Sequence, residues 1–237
     1  MLLSPPFRSA VQDYRLLLDR GYSSAASLKL VGDRYALDKA ARTVLFRGVL
    51  SGDLSDAIAA RLARTLPPGA RLAVDGYNIL FTLLNYRRGH PLFIATDGLL
   101  RDAGGAHGRI PDLGLFLECA RAAVQRLSAL GVSHAEVYLD SPVSGSGGHA
   151  EILRDLLAQE GISGRVETAV SADGPVQNFE GDATAGFAAG NVVGFAATSD
   201  SAVAAAARSP VFDLARDILE SRYGAAFLDL GAVIQSL

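Results

Sequence analysis

Pro67-Pro68-Gly69 splits this chain into two sequences of different texture, and no other feature constrains its fold as much. Two consecutive prolines remove two backbone donors and push the preceding residue out of the α region, so no helix continues through them. Upstream, residues 8–66 are patterned at helical spacing. Val11, Tyr14 and Leu16 to Leu18 form an apolar face that ends at Arg20-Gly21. Ser23 or Ser24 caps a second helix that runs through Leu30 and ends at Gly32. A third covers residues 36–49, and a fourth, capped by Asp53 or Ser55, covers 53–66.

Downstream, short apolar runs alternate with helical segments. The strands are 71–75, 135–140, 165–170, 192–198 and 225–230, with helices near 112–130, 149–160, 179–189 and 211–221 between them. Such alternation predicts a parallel sheet covered by helices. The expected fold is therefore α/β: a small all-α N-terminal domain over 1–66, then a parallel sheet flanked by helices over 70–237. The segment 85–110, rich in Gly and polar residues, is too long for an ordinary connection and reads as a functional loop or insertion.

Charge follows the same division. Residues 1–66 carry ten Lys or Arg against six Asp, and residues 67–237 carry twelve against nineteen Asp or Glu. A basic first part is thus joined to an acidic second part. Lys29 and Lys39 are the only lysines. That excludes a P-loop and Schiff-base chemistry from the second part. With 49% apolar residues and no apolar run near the ~18–20 residues of a membrane helix, a soluble core is expected and no membrane contact. The start, MLLSPPFR, reads poorly as a secretory signal. The single Cys119 has no disulfide partner within the chain, and no Cys/His group has zinc spacing. A cytoplasmic location is expected, and a homo-oligomer is compatible with these features.

Ligands of an open parallel sheet bind beyond the carboxyl ends of its strands. The stretch RLAVDGYN delivers Asp75 there, AEVYLD delivers Asp140, and VVGFAATSD delivers Asp200. A fourth acid, Asp182, falls on the predicted helix before the last of these strands. Gly76 would let the chain turn close to a ligand, and Asn78 would orient a carboxylate or contact a phosphate. Gathered carboxylates repel one another unless a cation neutralises them, and Mg²⁺ or Mn²⁺ prefers an all-oxygen environment. These acids are therefore candidate metal ligands. Arg87, Arg88, Arg101, His107 and Arg109 in the long segment are candidates for phosphate contacts. His149 is a weaker candidate at the start of a helix, His134 opens a strand, and Cys119 reads as core. The ten basic residues of the N-terminal helices offer a possible nucleic-acid surface, against the plainer reading of solvated helix faces.

Three of these motifs also carry a resemblance. VDGYN, DATAGFAA and ATSD, in that order, resemble the PIN and NYN superfamily of metal-dependent nucleases over roughly residues 70–237. The helical part, with RGYSSAASLKLVGDRY, resembles an uncharacterised prokaryotic family that joins such helices to a PIN-like domain. The resemblance implies Asp75, Asp140, Asp182 and Asp200 as an acidic cluster beside Asn78, holding Mg²⁺ or Mn²⁺, with RNA as substrate and partner. Two features depart from that pattern. The segment from Asn85 to Ile110 is long, and Asp97, Asp102 and Glu118 compete for one acidic position.

Two rivals remain. One is a catalytically silent module of the same build that binds RNA or protein. The other is a Mg²⁺-dependent phosphatase of the haloacid-dehalogenase type. It wants an Asp two residues after the first, where this chain has Tyr77, and a later lysine, which is lacking. A dinucleotide-binding oxidoreductase is excluded, since GYN after the first strand is not the required glycine fingerprint.

Overall fold

The structure, a computed structural model, describes residues 4–104, 108–180 and 194–235. Four helices come first: α1 (Pro5–Asp19), α2 (Ser24–Arg34), α3 (Lys39–Gly48) and α4 (Gly52–Ala59). Pro5 and Pro6 open α1, where missing donors cost nothing. The Ser23 hydroxyl caps α2 by accepting from Ala26 N–H, and Asp38 caps α3 by accepting from Ala41 N–H. α4 ends at Ala59, several residues short of the sequence expectation, and neither Asp53 nor Ser55 is its N-cap; Ser51 is.

The chain continues through β1 (Arg71–Asp75), α5 (Gly76–Arg87), β2 (Leu92–Ile94), β3 (Leu100–Asp102), α6 (Leu113–Ala129) and β4 (His134–Asp140). Next come α7 (Ser146–Gln159), β5 (Ser163–Ala169), α8 (Asp173–Gln177), β6 (Gly194–Ala197) and α9 (Ser201–Ala206). It ends with β7 (Val211–Phe212), α10 (Leu214–Tyr223), β8 (Leu228–Asp229) and α11 (Leu230–Gln235). Five strands form a parallel sheet in the order β5-β4-β1-β6-β7. The fold is thus α/β, a parallel sheet flanked by helices and preceded by a helical segment. β1 is central, and its four buried residues, Leu72 to Asp75, read as a strand covered on both faces.

Two expectations about strands are corrected. The segment 85–110 contains β2 and β3, an antiparallel hairpin that β8 joins in parallel to make a second, three-stranded sheet. The predicted strand at 225–230 therefore belongs to this small sheet, and only Leu228–Asp229 is paired. Val211 and Phe212, predicted to start a helix, are instead the edge strand of the large sheet. Both are fully buried, and as β-formers they fit a strand better than the first turn of a helix.

The helical segment does not close its own core. Phe7, Val11 and Tyr14 of α1, Val31 of α2 and Val44 and Leu45 of α3 form one apolar cluster with Phe93, Ala95 and Leu230. The small sheet thus packs against α1 to α3, whereas Ile58 of α4 packs directly on the large sheet with Ala73 and Ala196. Among the described residues, no helix is long and apolar enough to cross a membrane.

Gly76, expected to ease the approach of a ligand, serves the sheet instead. A Cβ there would lie 2.5 Å from Leu139 Cδ2 and 3.0 Å from the Tyr138 carbonyl oxygen. Only glycine lets α5 leave β1 while pressed against β4. Gly76→Ala is expected to destabilise the fold by about 1–3 kcal/mol through overpacking. Urea denaturation would check this, and an unchanged midpoint would contradict it.

Candidate functional site

The chain leaves β1 for β4 on one side and reaches β6 on the other. The sheet therefore has its topological switch point between β1 and β6, where ligands of open α/β sheets bind. A cavity of ≈ 470 Å³ opens there. Asp75 enters it from the end of β1, Asp140 from the end of β4 and Asp200 from just beyond β6. A further acid, Asp173, enters from the first residue of α8. The opposite wall comes from the N-terminal segment, with Phe46, Arg47 and Leu50, and from the hairpin, with Arg101 and Asp102.

Hydrogen bonds hold each acid in place. Thr198 Oγ1 donates to Asp75 Oδ2 at 3.0 Å and accepts from Asp200 N–H at 3.1 Å, tying β1 to the turn after β6. Asn78 Oδ1 accepts from both the N–H and the hydroxyl of Ser199, each at 2.8 Å. Asn78 thereby clamps the turn that carries Asp200. Asp200 Oδ1 caps α9 by accepting from Ala202 N–H at 2.7 Å and Val203 N–H at 3.1 Å. Asp140 Oδ1 accepts from Ala172 N–H at 2.9 Å and so fixes the turn that presents Asp173. Among the described residues, Asp140 and Asp200 each use one oxygen in this way and keep the other for the cavity.

Burial and like charge act together on Asp75. The residue is 4% exposed. Desolvation first, and the charges of Asp140 and Asp173 after it, push its carboxyl up to about 7, against the opposing pull of the Thr198 hydroxyl. At neutral pH this group is poised between its two forms, and a cation in the cavity would favour ionisation. Among the described residues, no three His, Cys, Asp or Glu side chains gather closely enough to form an evident metal-holding group. Asp182 lies outside the described residues, as does His107.

The domain of unknown function DUF5616 matches residues 67–217. The chain belongs to the DUF5616 family. A second domain of unknown function, DUF434, matches residues 6–61. The DUF5616 region begins at Pro67, where the sequence changes texture, and DUF434 covers the four N-terminal helices. An uncharacterized protein of Methanocaldococcus jannaschii is 27% identical over 177 residues, covering 74% of this chain and 84% of its own length. No solved structure matches.

Within the DUF5616 region the structure separates the remaining candidates. α5 starts at the cavity and runs away from it, so Arg87 and Arg88 at its far end lie about 15 Å along the helix from Asn78. Arg87 pairs with Glu118 at 2.8 Å, which also explains Glu118 as a helix-surface residue. Neither arginine lines the cavity. Arg109 is exposed, and its backbone bridges to Ser144 beside the cavity rim at Gly108. Asp97 is fully buried and held by Arg101 at 2.7 Å, and Asp102 is paired with Arg47 at 3.0 Å. Both arginines that line the cavity are therefore already engaged.

His149 is buried and turned toward Tyr77, sharing a 2.8 Å hydrogen bond with its hydroxyl while its ring packs on Phe116. Burial lowers its pKa, so it is neutral packing beneath the site. His134 opens β4, and Cys119 is core with its thiol pushed up to about 11 by burial. Asp173 is the acid that sequence reasoning missed. The signal was Ser171-Ala172-Asp173-Gly174-Pro175, an acidic helix start at the carboxyl end of a strand.

Proposed function

We propose that this protein is a divalent-metal-dependent ribonuclease of PIN/NYN-like build that hydrolyses phosphodiester bonds at the β1–β6 switch point. The observation that carries this reading is the set of four aspartates lining one cavity there, the most buried of them pushed up to about 7 by burial and then by its acidic neighbours.

The donor set fits Mg²⁺ or Mn²⁺. Every candidate ligand is a carboxylate oxygen, and Asp75 gains full charge when a cation offsets Asp140 and Asp173. Mg²⁺ is usually held by only one or two carboxylates, with waters and substrate phosphates completing its shell. One or two of Asp75, Asp140, Asp173 and Asp200 would hold the ion directly and the others through water, with Asp182 a further candidate outside the described residues. When bound, such an ion lowers the pKa of water and stabilises charge on phosphoryl oxygens.

The chain's own residues do the rest. Thr198 and the Asn78 backbone N–H aim the Asp75 carboxylate. Asn78 and the α9 cap fix Asp200, so its second oxygen faces the cavity without reorganisation. The Asp140 bond to Ala172 does the same on the other side. RNA as substrate rests on the resemblance of VDGYN, DATAGFAA and ATSD to that superfamily.

The test compares wild type, Asp75→Asn and Asp200→Asn on labelled single-stranded RNA with Mg²⁺, Mn²⁺ or chelator. Wild type is expected to cleave with either ion, and chelator or either substitution to cost more than the roughly 10–100-fold typical of losing a mere outer-shell partner. Activity that survives chelator, or survives both substitutions, overturns the metal reading. A wild type that binds RNA and never cuts it makes the protein a silent RNA-binding module.

A further inference from the structure

Phe46 is 50% exposed, unusual for a large aromatic ring beside a cavity. It stands on α3 between two depressions: the acidic cavity, and a shallow groove of ≈ 540 Å³ formed by Leu28, Lys39, Arg42, Thr43 and Arg47. Lys39, Arg42, Thr43, Phe46 and Arg47 follow one another at i, i+3, i+4, i+7 and i+8, so they make one stripe along the helix. α3 carries three cations and no acid. Arg42 and Arg47 are steadied by Asp33 and Asp102, whereas Lys39 has no ion-pair partner among the described residues. A second ring, Phe81 of α5, is half-buried in the cavity and stacks on Tyr77 with centroids 5.5 Å apart.

The acidic cavity by itself repels a polyanion. A phosphodiester substrate must be drawn in by cations outside it, and the α3 stripe supplies them beside the cavity mouth. A flat, half-exposed ring among cations matches a nucleobase next to its phosphates. In a duplex the base faces are covered by their neighbours, so only an unpaired base can present a face to Phe46.

We propose that the α3 stripe is the substrate track of this site: an unpaired base of single-stranded RNA stacks on Phe46, while Lys39 takes an adjoining phosphate. This deepens the reading of the cavity as a phosphodiester site and rests on it. It also gives the DUF434 helices a task, since they supply the specificity-determining ring to a site whose acids come from the DUF5616 region.

The experiment measures binding of a short labelled single-stranded RNA to the full chain by fluorescence anisotropy in chelator, so that hydrolysis does not consume the probe. Phe46→Ala is expected to weaken binding about 10-fold, the usual scale for one lost stacking contact. Phe46→Tyr keeps the ring and stays near wild type. Phe46→Leu keeps apolar surface without a ring and is as weak as Phe46→Ala. Lys39→Ala lowers the slope of log affinity against log salt by about 0.7, one phosphate contact on a single strand. Leu30→Ala, a more exposed apolar position on α2, changes nothing.

Full recovery in Phe46→Leu overturns stacking. Unchanged binding in Phe46→Ala, or no binding by wild type, overturns the track. The two readings fail separately. Phe46-dependent binding without cleavage leaves the track standing and removes the hydrolysis; metal-dependent cleavage with no Phe46 effect does the reverse.

Discussion

Asp75→Asn is expected to raise the melting temperature of the metal-free protein by roughly 5–10 °C at pH 8 and to change it little at pH 4. The folded protein holds the Asp75 carboxyl at about 7, well above its ordinary 3.8, because the group is buried and faces Asp140 and Asp173. Protonated Asp75 is thus the form the fold prefers. The stability it contributes is fully present below the unfolded value of 3.8 and is lost as pH rises through about 7. Three units correspond to about 4 kcal/mol at most, and the new amide, lacking an assured acceptor, returns part of that. For a chain of this size each kcal/mol moves the midpoint by about 2–4 °C. Asn keeps the shape and can still accept from Thr198.

The check is a thermal melt of both proteins in chelator across pH 4–8. Asp213, buried and raised to about 6, slopes the same way in both proteins and cancels in the difference. A variant less stable than wild type at pH 8 would show that Asp75 is not under electrostatic load. Under the metal reading, Mg²⁺ or Mn²⁺ then stabilises wild type at pH 8 and leaves the variant nearly unmoved.

The same residues show what a sequence reveals and what it hides. Arg71–Asp75 was legible to the residue, because a short apolar run ending in a carboxylate and a glycine has few other meanings. The break at Pro67, the strands ending at Asp140 and just before Asp200, and the burial of Cys119 were equally plain. The hairpin was missed although Asp97-Gly98 is a turn signal, since β2 and β3 have only three residues each and depend on β8 from the far end of the chain. No local pattern encodes that pairing.

Arg87 and Arg88 were misplaced because segment 85–110 was read as one loop, whereas its first residues are the last turn of α5. A helix that leaves a strand end carries its last turn to the opposite edge of the sheet. Asp173 was missed because it follows its strand by several residues and is brought to the cavity by the turn that the Ala172 N–H to Asp140 bond fixes. The contribution of Phe46, Arg47 and Leu50 to the cavity wall depends on packing between the two family regions, which neither region's sequence specifies.

Asp97→Asn, the same chemical change at another buried aspartate, is expected to do the opposite of Asp75→Asn and destabilise by about 3 kcal/mol or more. Asp97 is fully buried, but its charge is answered. Arg101 donates to Oδ2 at 2.7 Å, and Leu99 N–H donates to Oδ1 at 3.1 Å. Removing the carboxylate strips the Arg101 guanidinium, itself 9% exposed, of its hydrogen-bonded counterion and leaves it only the coulombic attraction of Asp213. Arg101 also donates to the Arg47 carbonyl at 3.2 Å, so the pair ties the hairpin to α3 and to the wall that carries Phe46. Urea denaturation at pH 8 tests the sign directly. The double variant Asp97→Leu with Arg101→Met, which removes both charges, should recover much of the loss, because two apolar groups leave no charge unpaired. A neutral or stabilising Asp97→Asn would mean that Arg101 is solvated and that the pair is not what fixes the hairpin. The outcome also separates Asp97 from the cavity acids. A carboxylate already matched by an arginine has no charge to offer a cation, so Asp97→Asn should retain cleavage at temperatures where it stays folded, whereas Asp75→Asn should fold better and cut nothing.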